Sequence, residues 1–258
     1  MNEMVKWEEE LAKEAAKAAS SEAAFSGGQF FSTRGGQLSW QDAPLPGNQM
    51  LVVILDYIFE TSYFEDRYNP DVPQTPSAFA LGRDQSELRW HEDSAPEFAG
   101  KLCRESEVCE WGSADTGKGK AARESRRLAM IPAGSFDKSG GVELIEDPAH
   151  FATTPVGYMK LPVTSVKGFA NFVCQVAEVM NRPPFGIVTR VAVVPDAKTQ
   201  FKVVFEAVSK IPAEIIPTIL KRRPEVMATI DFPYARAGEE VGQVEEKTPA
   251  MRRRARKY

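Results

Sequence analysis

Gly157-Tyr158-Met159-Lys160-Leu161-Pro162-Val163-Thr164-Ser165-Val166-Lys167-Gly168-Phe169-Ala170-Asn171-Phe172-Val173-Cys174-Gln175-Val176-Ala177-Glu178-Val179-Met180 places a strand and a helix in direct succession, and this pairing decides the fold class. Gly157–Val163 reads as a strand. Thr164 or Ser165 then supplies a capping oxygen for a helix over Val166–Met180. Val166, Phe169, Ala170, Val173, Val176, Ala177 and Met180 form one apolar stripe on it, the pattern of a helix lying on a core. Cys174 falls beside the stripe and reads as a packing residue. Asn181-Arg182-Pro183-Pro184 ends the helix.

Strand-like runs lie on both sides. Downstream, Ile187–Val194 and Phe201–Val208 flank Pro195-Asp196-Ala197-Lys198-Thr199, which has the composition of a hairpin turn. A terminal helix follows over Ala213–Met227, with Pro217 and Pro224 limiting its regularity. Upstream, Met50–Phe59 is a long β-rich run, and Ala78–Leu81, Leu128–Ile131 and Val142–Ile145 are shorter ones. Phe30–Trp40 reads as two short strands around Gly35-Gly36. Residues 1–25 carry Trp7, Leu11, Ala15 and Ala18 at roughly helical spacing and form an N-terminal helical arm.

The expected architecture is α+β: an antiparallel OB-like β-barrel or curved sheet with one inserted amphipathic helix, an N-terminal helix and a C-terminal helix. A generic α+β sandwich is the competing arrangement. The core spans residues 26–232 as one domain, with a polar Gly/Lys/Arg loop region at 82–127. Residues 233–258 read as a flexible basic tail.

The chain has 258 residues, 43% of them apolar and 10% aromatic, enough to bury a core. No apolar run reaches the ~20 residues needed to cross a bilayer, so no membrane partner is expected. A Glu- and Ala-rich start does not suit a secretory signal. Three cysteines, an odd number, fit a reducing compartment better than a disulfide framework. Five of the 32 basic residues fall in the last eight positions, which leaves 27 against 36 acidic residues, a net of −9, elsewhere. Binding to polyanions through general positive charge is excluded, and any nucleic-acid site must be a local basic groove on an acidic body.

One segment has the composition of such a groove. Trp111-Gly112-Ser113-Ala114-Asp115-Thr116-Gly117-Lys118-Gly119-Lys120, followed by Arg123, Arg126 and Arg127, sets a ring, three glycines and five cations together. Glycines admit a ligand close to the backbone, the cations suit phosphate, and an exposed ring stacks on a base. The run Gly112–Lys118 meets most of a P-loop pattern, but Gly119 stands where the Mg²⁺-binding hydroxyl belongs and no apolar strand precedes it, so nucleotide hydrolysis is rejected. The bland alternative is a solvated glycine-rich loop.

Several motifs are similar to those of a group of tailed-bacteriophage proteins. They are Phe31-Ser32-Thr33-Arg34-Gly35-Gly36-Gln37-Leu38, Pro46-Gly47-Asn48, Gly82-Arg83-Asp84, Gly112–Ala121, Arg126-Arg127-Leu128, Leu161–Gly168 and Pro184-Phe185-Gly186. The similarity spans roughly residues 26–210, and some of those proteins are labelled single-stranded DNA-binding proteins. The resemblance implies a role in phage DNA replication or recombination, in the cytoplasm of the bacterial host cell, with other replication or recombination proteins as partners. It also implies a C-x-x-C pair before the Gly/Lys loop and a further Cys after it. The matching positions are Cys103, Ser106 and Ala122, so two of three sulfur ligands are missing. Cys109 and His91 are weak substitutes, since Cys103 and Cys109 stand further apart than paired zinc ligands usually do. No cofactor is expected, and zinc is disfavoured.

The expected function is sequence-tolerant binding of single-stranded DNA without catalysis. Phosphates fall to Arg34, Lys118, Lys120, Arg123, Arg126, Arg127, Lys167 and Arg190, and bases to Trp111 and Phe31, with Trp40 and Phe185 better explained as core. If Arg126 and Arg127 lie in a strand they face opposite ways, so one at most meets DNA. An enzyme is the weaker alternative: His91 and His150 lack a nucleophile nearby, and Asp56, Glu60, Glu65 and Asp66 show no nuclease spacing. The other alternative is a phage structural or inhibitory protein that binds a protein partner through its acidic body.

Overall fold

A computed structural model of the protein describes residues 30–41, 43–65, 74–137 and 139–234. The expected N-terminal arm, and the tail beyond Tyr234, lie outside the described residues. In chain order the elements are β1 (Phe30–Ser32), β2 (Ser39–Trp40), β3 (Ala43–Pro44), β4 (Gln49–Tyr63), β5 (Ala78–Gly82), β6 (Arg123–Phe136), β7 (Val142–Leu144), α1 (Pro148–Thr153), β8 (Gly157–Leu161), α2 (Val163–Met180), β9 (Ile187–Asp196), β10 (Gln200–Lys210) and α3 (Ile216–Thr229). They form an α+β protein around one large sheet. Its strand order is β10-β9-β4-β6-β8-β1-β2-β3, with β5 added to β4 and β7 to β6. Among the described strands all pairings are antiparallel except β1 with β8, where Phe30 sits opposite Tyr158.

The sheet buries both faces. On one, Val52, Ile54, Leu128, Met130, Met159, Leu161 and Val191 pack on Phe169, Phe172 and Val176 of α2. On the other, Leu51, Val53, Leu55, Ala129, Ile131 and Tyr158 pack on Ile219 and Val226 of α3. The alternation along β4 and β6 reflects the two-residue period of a strand. A register shift between Ile54 and Asp56 inserts one extra residue in β4. Beyond it the parity reverses, so Ile58 joins Leu55 on the α3 side. Glu60, two residues on, therefore faces α3 as well.

Among the described strands the sheet does not close: β10 and β3 are its two ends and do not pair. The physical reason is α2. A small closed barrel fills its interior with side chains alone, whereas here that face carries a helix about 10 Å across. Asn48 ties the β1–β2 connection to β9 instead. Its Nδ2 donates to the carbonyls of Gly36 at 2.8 Å and Val193 at 2.9 Å, and its Oδ1 accepts from the Leu38 amide at 2.5 Å.

Several elements depart from the sequence expectations. Helix α2 begins at Val163 with Pro162 as its cap, and no side chain caps it. Ser165 is buried, and its Oγ accepts from the Val203 amide at 2.8 Å, so it joins helix to sheet. The β-rich runs extend further than their apolar cores suggest, to Tyr63 in β4 and back to Arg123 in β6. Between β5 and β6 the expected polar loop holds a small core of its own. Leu88, Trp90, Cys103 and Ala122 pack there on Ala78 and Ala80 of β5, and Trp90 Nε1 donates to Ser106 Oγ at 2.7 Å.

Candidate nucleic-acid interface

Four strands end at the same edge of the sheet: β1 and β8 run parallel and finish beside the end of β4 and the start of β6. A cleft of about 580 Å³ opens there, lined by Phe30, Phe31, Ser32, Thr33, Arg34, Phe64, Arg123, Ser125, Lys160, Leu161, Pro162 and Val163. Its described lining contains three cations, Arg34, Arg123 and Lys160, and no carboxylate. The Arg123 guanidinium lies over the Phe64 ring at 5.4 Å from its centroid, and Lys160 Nζ lies 5.9 Å from the same ring. Such contacts hold a charge at a wall without neutralising it. Ser125 Oγ, in the same lining, is buried and has no hydrogen-bond partner among the described residues.

Lys160 carries the cleft's charge down into the protein. Its Nζ approaches Glu60 Oε1 at 2.7 Å and donates to Ser62 Oγ at 3.1 Å and Tyr234 Oη at 2.7 Å. Glu60 Oε2 accepts from Arg127 Nε at 2.9 Å, and Tyr234 Oη donates to Glu60 Oε1. Arg127 Nη1 donates in turn to the carbonyls of Ile230 at 3.1 Å and Phe232 at 2.6 Å. Burial alone would raise the Glu60 pKa. The Lys160 ammonium and Arg127 guanidinium outweigh it and hold the carboxyl below its ordinary value. Burial and the Glu60 charge push the Tyr234 phenol upward, so it stays a neutral donor. One carboxylate thus serves two cations, and the cluster keeps one net positive charge, with Lys160 on the cleft side.

The structure scatters the residues expected from sequence. Arg34 and Arg123 line the cleft. Lys167 is exposed one turn beyond Val163, at the same end of the sheet. Trp111 is 82% exposed, in a loop that leads into Arg123. In that loop Gly112 and Gly119 adopt positive φ, and the Gly112 amide donates to the Gly119 carbonyl at 2.7 Å. The Gly117 amide donates to Ala114. Both amides are satisfied within the loop, unlike those of a phosphate-cradling P-loop. Lys118 is exposed, whereas Lys120 pairs with Glu124 at 2.6 Å.

Three expectations require correction. Arg127 is not a surface cation: it is 1% exposed and committed to Glu60 and two backbone carbonyls. Phe31 reaches the cleft lining but is buried, with its ring packed on Trp40 at 4.3 Å between centroids. Arg190 lies away from the cleft, bonded to Gln49 at 2.7 Å and paired with Glu206 at 3.2 Å. Arg126 and Arg127 do face opposite ways. Arg126 is half-buried over the Phe59 ring, 3.9 Å from its centroid.

Lys160, Phe64, Glu60 and Tyr234 had not been expected at the site. Lys160 leaves a trace in the sequence, the one charge in the apolar strand β8, and Glu60 is one of two acidic residues in the otherwise apolar and polar run of β4. Phe64 leaves none.

Among the described residues no group of three or more His, Cys, Asp or Glu side chains is placed to hold a metal ion. His91 stacks on Phe79 at 4.7 Å, and its Nδ1 accepts from the Asp93 amide at 3.1 Å. Cys103 and Cys109 sit in the small core beside β5, and burial pushes their thiols up to about 12 and about 11. Asp56 and Glu60 go to different cations, Arg83 and the Arg127/Lys160 pair. No described helix is long and apolar enough to cross a membrane. Comparison with protein-family models, curated proteins and solved structures finds no match for this chain.

Proposed function

We propose that the protein binds single-stranded nucleic acid, DNA in the first instance, along the cleft at the strand ends, with no catalytic step. The observation that carries this reading is the cleft's described lining: Arg34, Arg123 and Lys160 without a carboxylate, on a chain whose net charge is −4. On an acidic body, a cleft lined by cations is the local feature that attracts a polyanion. In this reading the exposed Lys118 and Lys167 add phosphate contacts and the exposed Trp111 ring supplies a surface for base stacking. An OB-like mode of gripping the strand and a setting in phage replication or recombination belong to the same proposal. The first rests on the succession of short strands with one late amphipathic helix, the second on the motif resemblance.

The test is fluorescence anisotropy of labelled oligo-dT across a salt series, with a duplex control. Three to four phosphate contacts predict a slope of log affinity on log salt of about −2 to −3. Arg34→Ala/Arg123→Ala should flatten the slope by about one and weaken binding at all salt concentrations. Absence of binding to oligo-dT at low salt would overturn the reading, and so would an unchanged slope in the double variant.

A further inference from the structure

Strand β4 is paired along one edge by β6, but its other edge is divided. β9 covers Gln49–Val52 and β5 covers Phe59–Tyr63, so among the described residues Val53–Ile58 have no neighbouring strand on that side. A slot of about 580 Å³ occupies the split, closed by the end of α2, the turn Pro183–Phe185 and Arg223 of α3. The volume lies within the usual range of small-molecule sites.

Among the described residues four charged side chains line the slot: Asp56, Arg83, Arg182 and Arg223. Arg83 grips Asp56 with both terminal nitrogens, at 3.1 and 2.6 Å, and also donates to the Met227 carbonyl at 3.1 Å. That pair is electrically balanced. Arg223 is fixed separately: its Nε donates to the Leu55 carbonyl on the open strand edge at 2.9 Å, and its guanidinium lies over the Phe185 ring at 3.8 Å. Its nearest approach to Asp56 is 3.9 Å. For Arg182 the bond within the chain is a long one, 3.5 Å to the Asn181 carbonyl. Two guanidiniums therefore exceed the single carboxylate, beside an apolar wall of Phe185, Val173 and Ala177.

We propose that this slot is a second binding site, for a small phosphorylated molecule with a flat ring, a nucleoside mono- or diphosphate. The phosphate pairs with Arg182 and Arg223, whose planar forks match phosphate oxygens. The ring lies along Val173 and Ala177, and the open β4 edge offers main-chain groups to its polar rim. The site is independent of the strand-end cleft, since none of the four charged residues lines that cleft.

Isothermal titration calorimetry tests this with AMP, ADP, GMP, adenosine and inorganic phosphate as separate titrants. At least one nucleotide should bind with a dissociation constant below about 1 mM, and adenosine and phosphate should each bind roughly tenfold more weakly or worse. Arg182→Ala removes one fork. Ala177→Phe fills the slot from an exposed helix position, so it keeps the charge and does not disturb the core. Each should weaken nucleotide binding by roughly tenfold, with circular dichroism and oligo-dT affinity unchanged. No nucleotide binding, equal binding of phosphate and nucleotide, or binding insensitive to both variants would overturn the proposal. A nucleotide effect that moved together with oligo-dT affinity would overturn it as well.

Discussion

Replacing Glu60 by Gln keeps the side chain's size and removes the charge that two cations share. Arg127 is the cation that suffers, because its side chain is 2% exposed and cannot turn to water. Breaking a buried ion pair by removing one partner costs about 3–5 kcal/mol. Arg127 keeps its bonds to the Ile230 and Phe232 carbonyls, and Lys160, about one-third exposed, can reach solvent. Both soften the loss, so the lower end of that range applies, about 3 kcal/mol. For a domain of this size that corresponds to a fall in melting temperature of roughly 6–12 °C.

The same substitution has a signature in pH. Glu60 has a folded-state pKa below its ordinary value of 4.5. Its stabilisation is therefore present above that value and is lost as the pH falls through the lower folded-state value. Urea unfolding of the wild type and Glu60→Gln at neutral pH, and again below pH 4.5, measures both effects. The two proteins should differ by about 3 kcal/mol at neutral pH and converge in acid. A difference below about 1 kcal/mol at neutral pH would place the pair among exposed salt bridges and refute the argument.

Two other perturbations follow from packing and burial. Gly157→Ala would drive a methyl group into the Phe31 ring, and to within 2.9 Å of Trp40, at the start of β8. Overpacking there should cost about 1–3 kcal/mol, measured as a shift in the urea midpoint; an unchanged midpoint would show that Phe31 and Trp40 can move aside. Among the thiols, Cys174 is exposed on α2, whereas Cys103 and Cys109 have pKa values raised to about 12 and about 11. Near pH 8 a thiol reagent should label Cys174 quickly, the partly buried Cys109 more slowly and the buried Cys103 only as the protein opens, and rapid labelling of all three in native buffer would contradict that order.

The division between sequence and structure follows the range of the interactions involved. The helix α2, the β9–β10 hairpin with its turn at residues 197–199, and the strand cores of β4 and β6 were all legible, because their periodicity and turn residues act between near neighbours in the chain. So was the opposition of Arg126 and Arg127, which follows from the period of a strand. The caps and ends were less legible: Ser165 looks like a helix cap and instead bonds across to Val203.

Alone, the sequence determined an α+β protein with a locally basic segment on an acidic body. Only the tertiary structure decided which cations share a site. Arg127 and Glu60 are 67 residues apart, and they meet because β4 and β6 pair in one register and a bulge after Ile54 turns Glu60 towards α3. Arg34, Arg123 and Lys160 converge because β1 runs parallel to β8 and both end beside β6. The opening of the sheet, and the split along β4, have the same origin. They depend on where α2, β5 and β9 pack, and the packing of distant segments leaves no periodic mark on the residues it brings together.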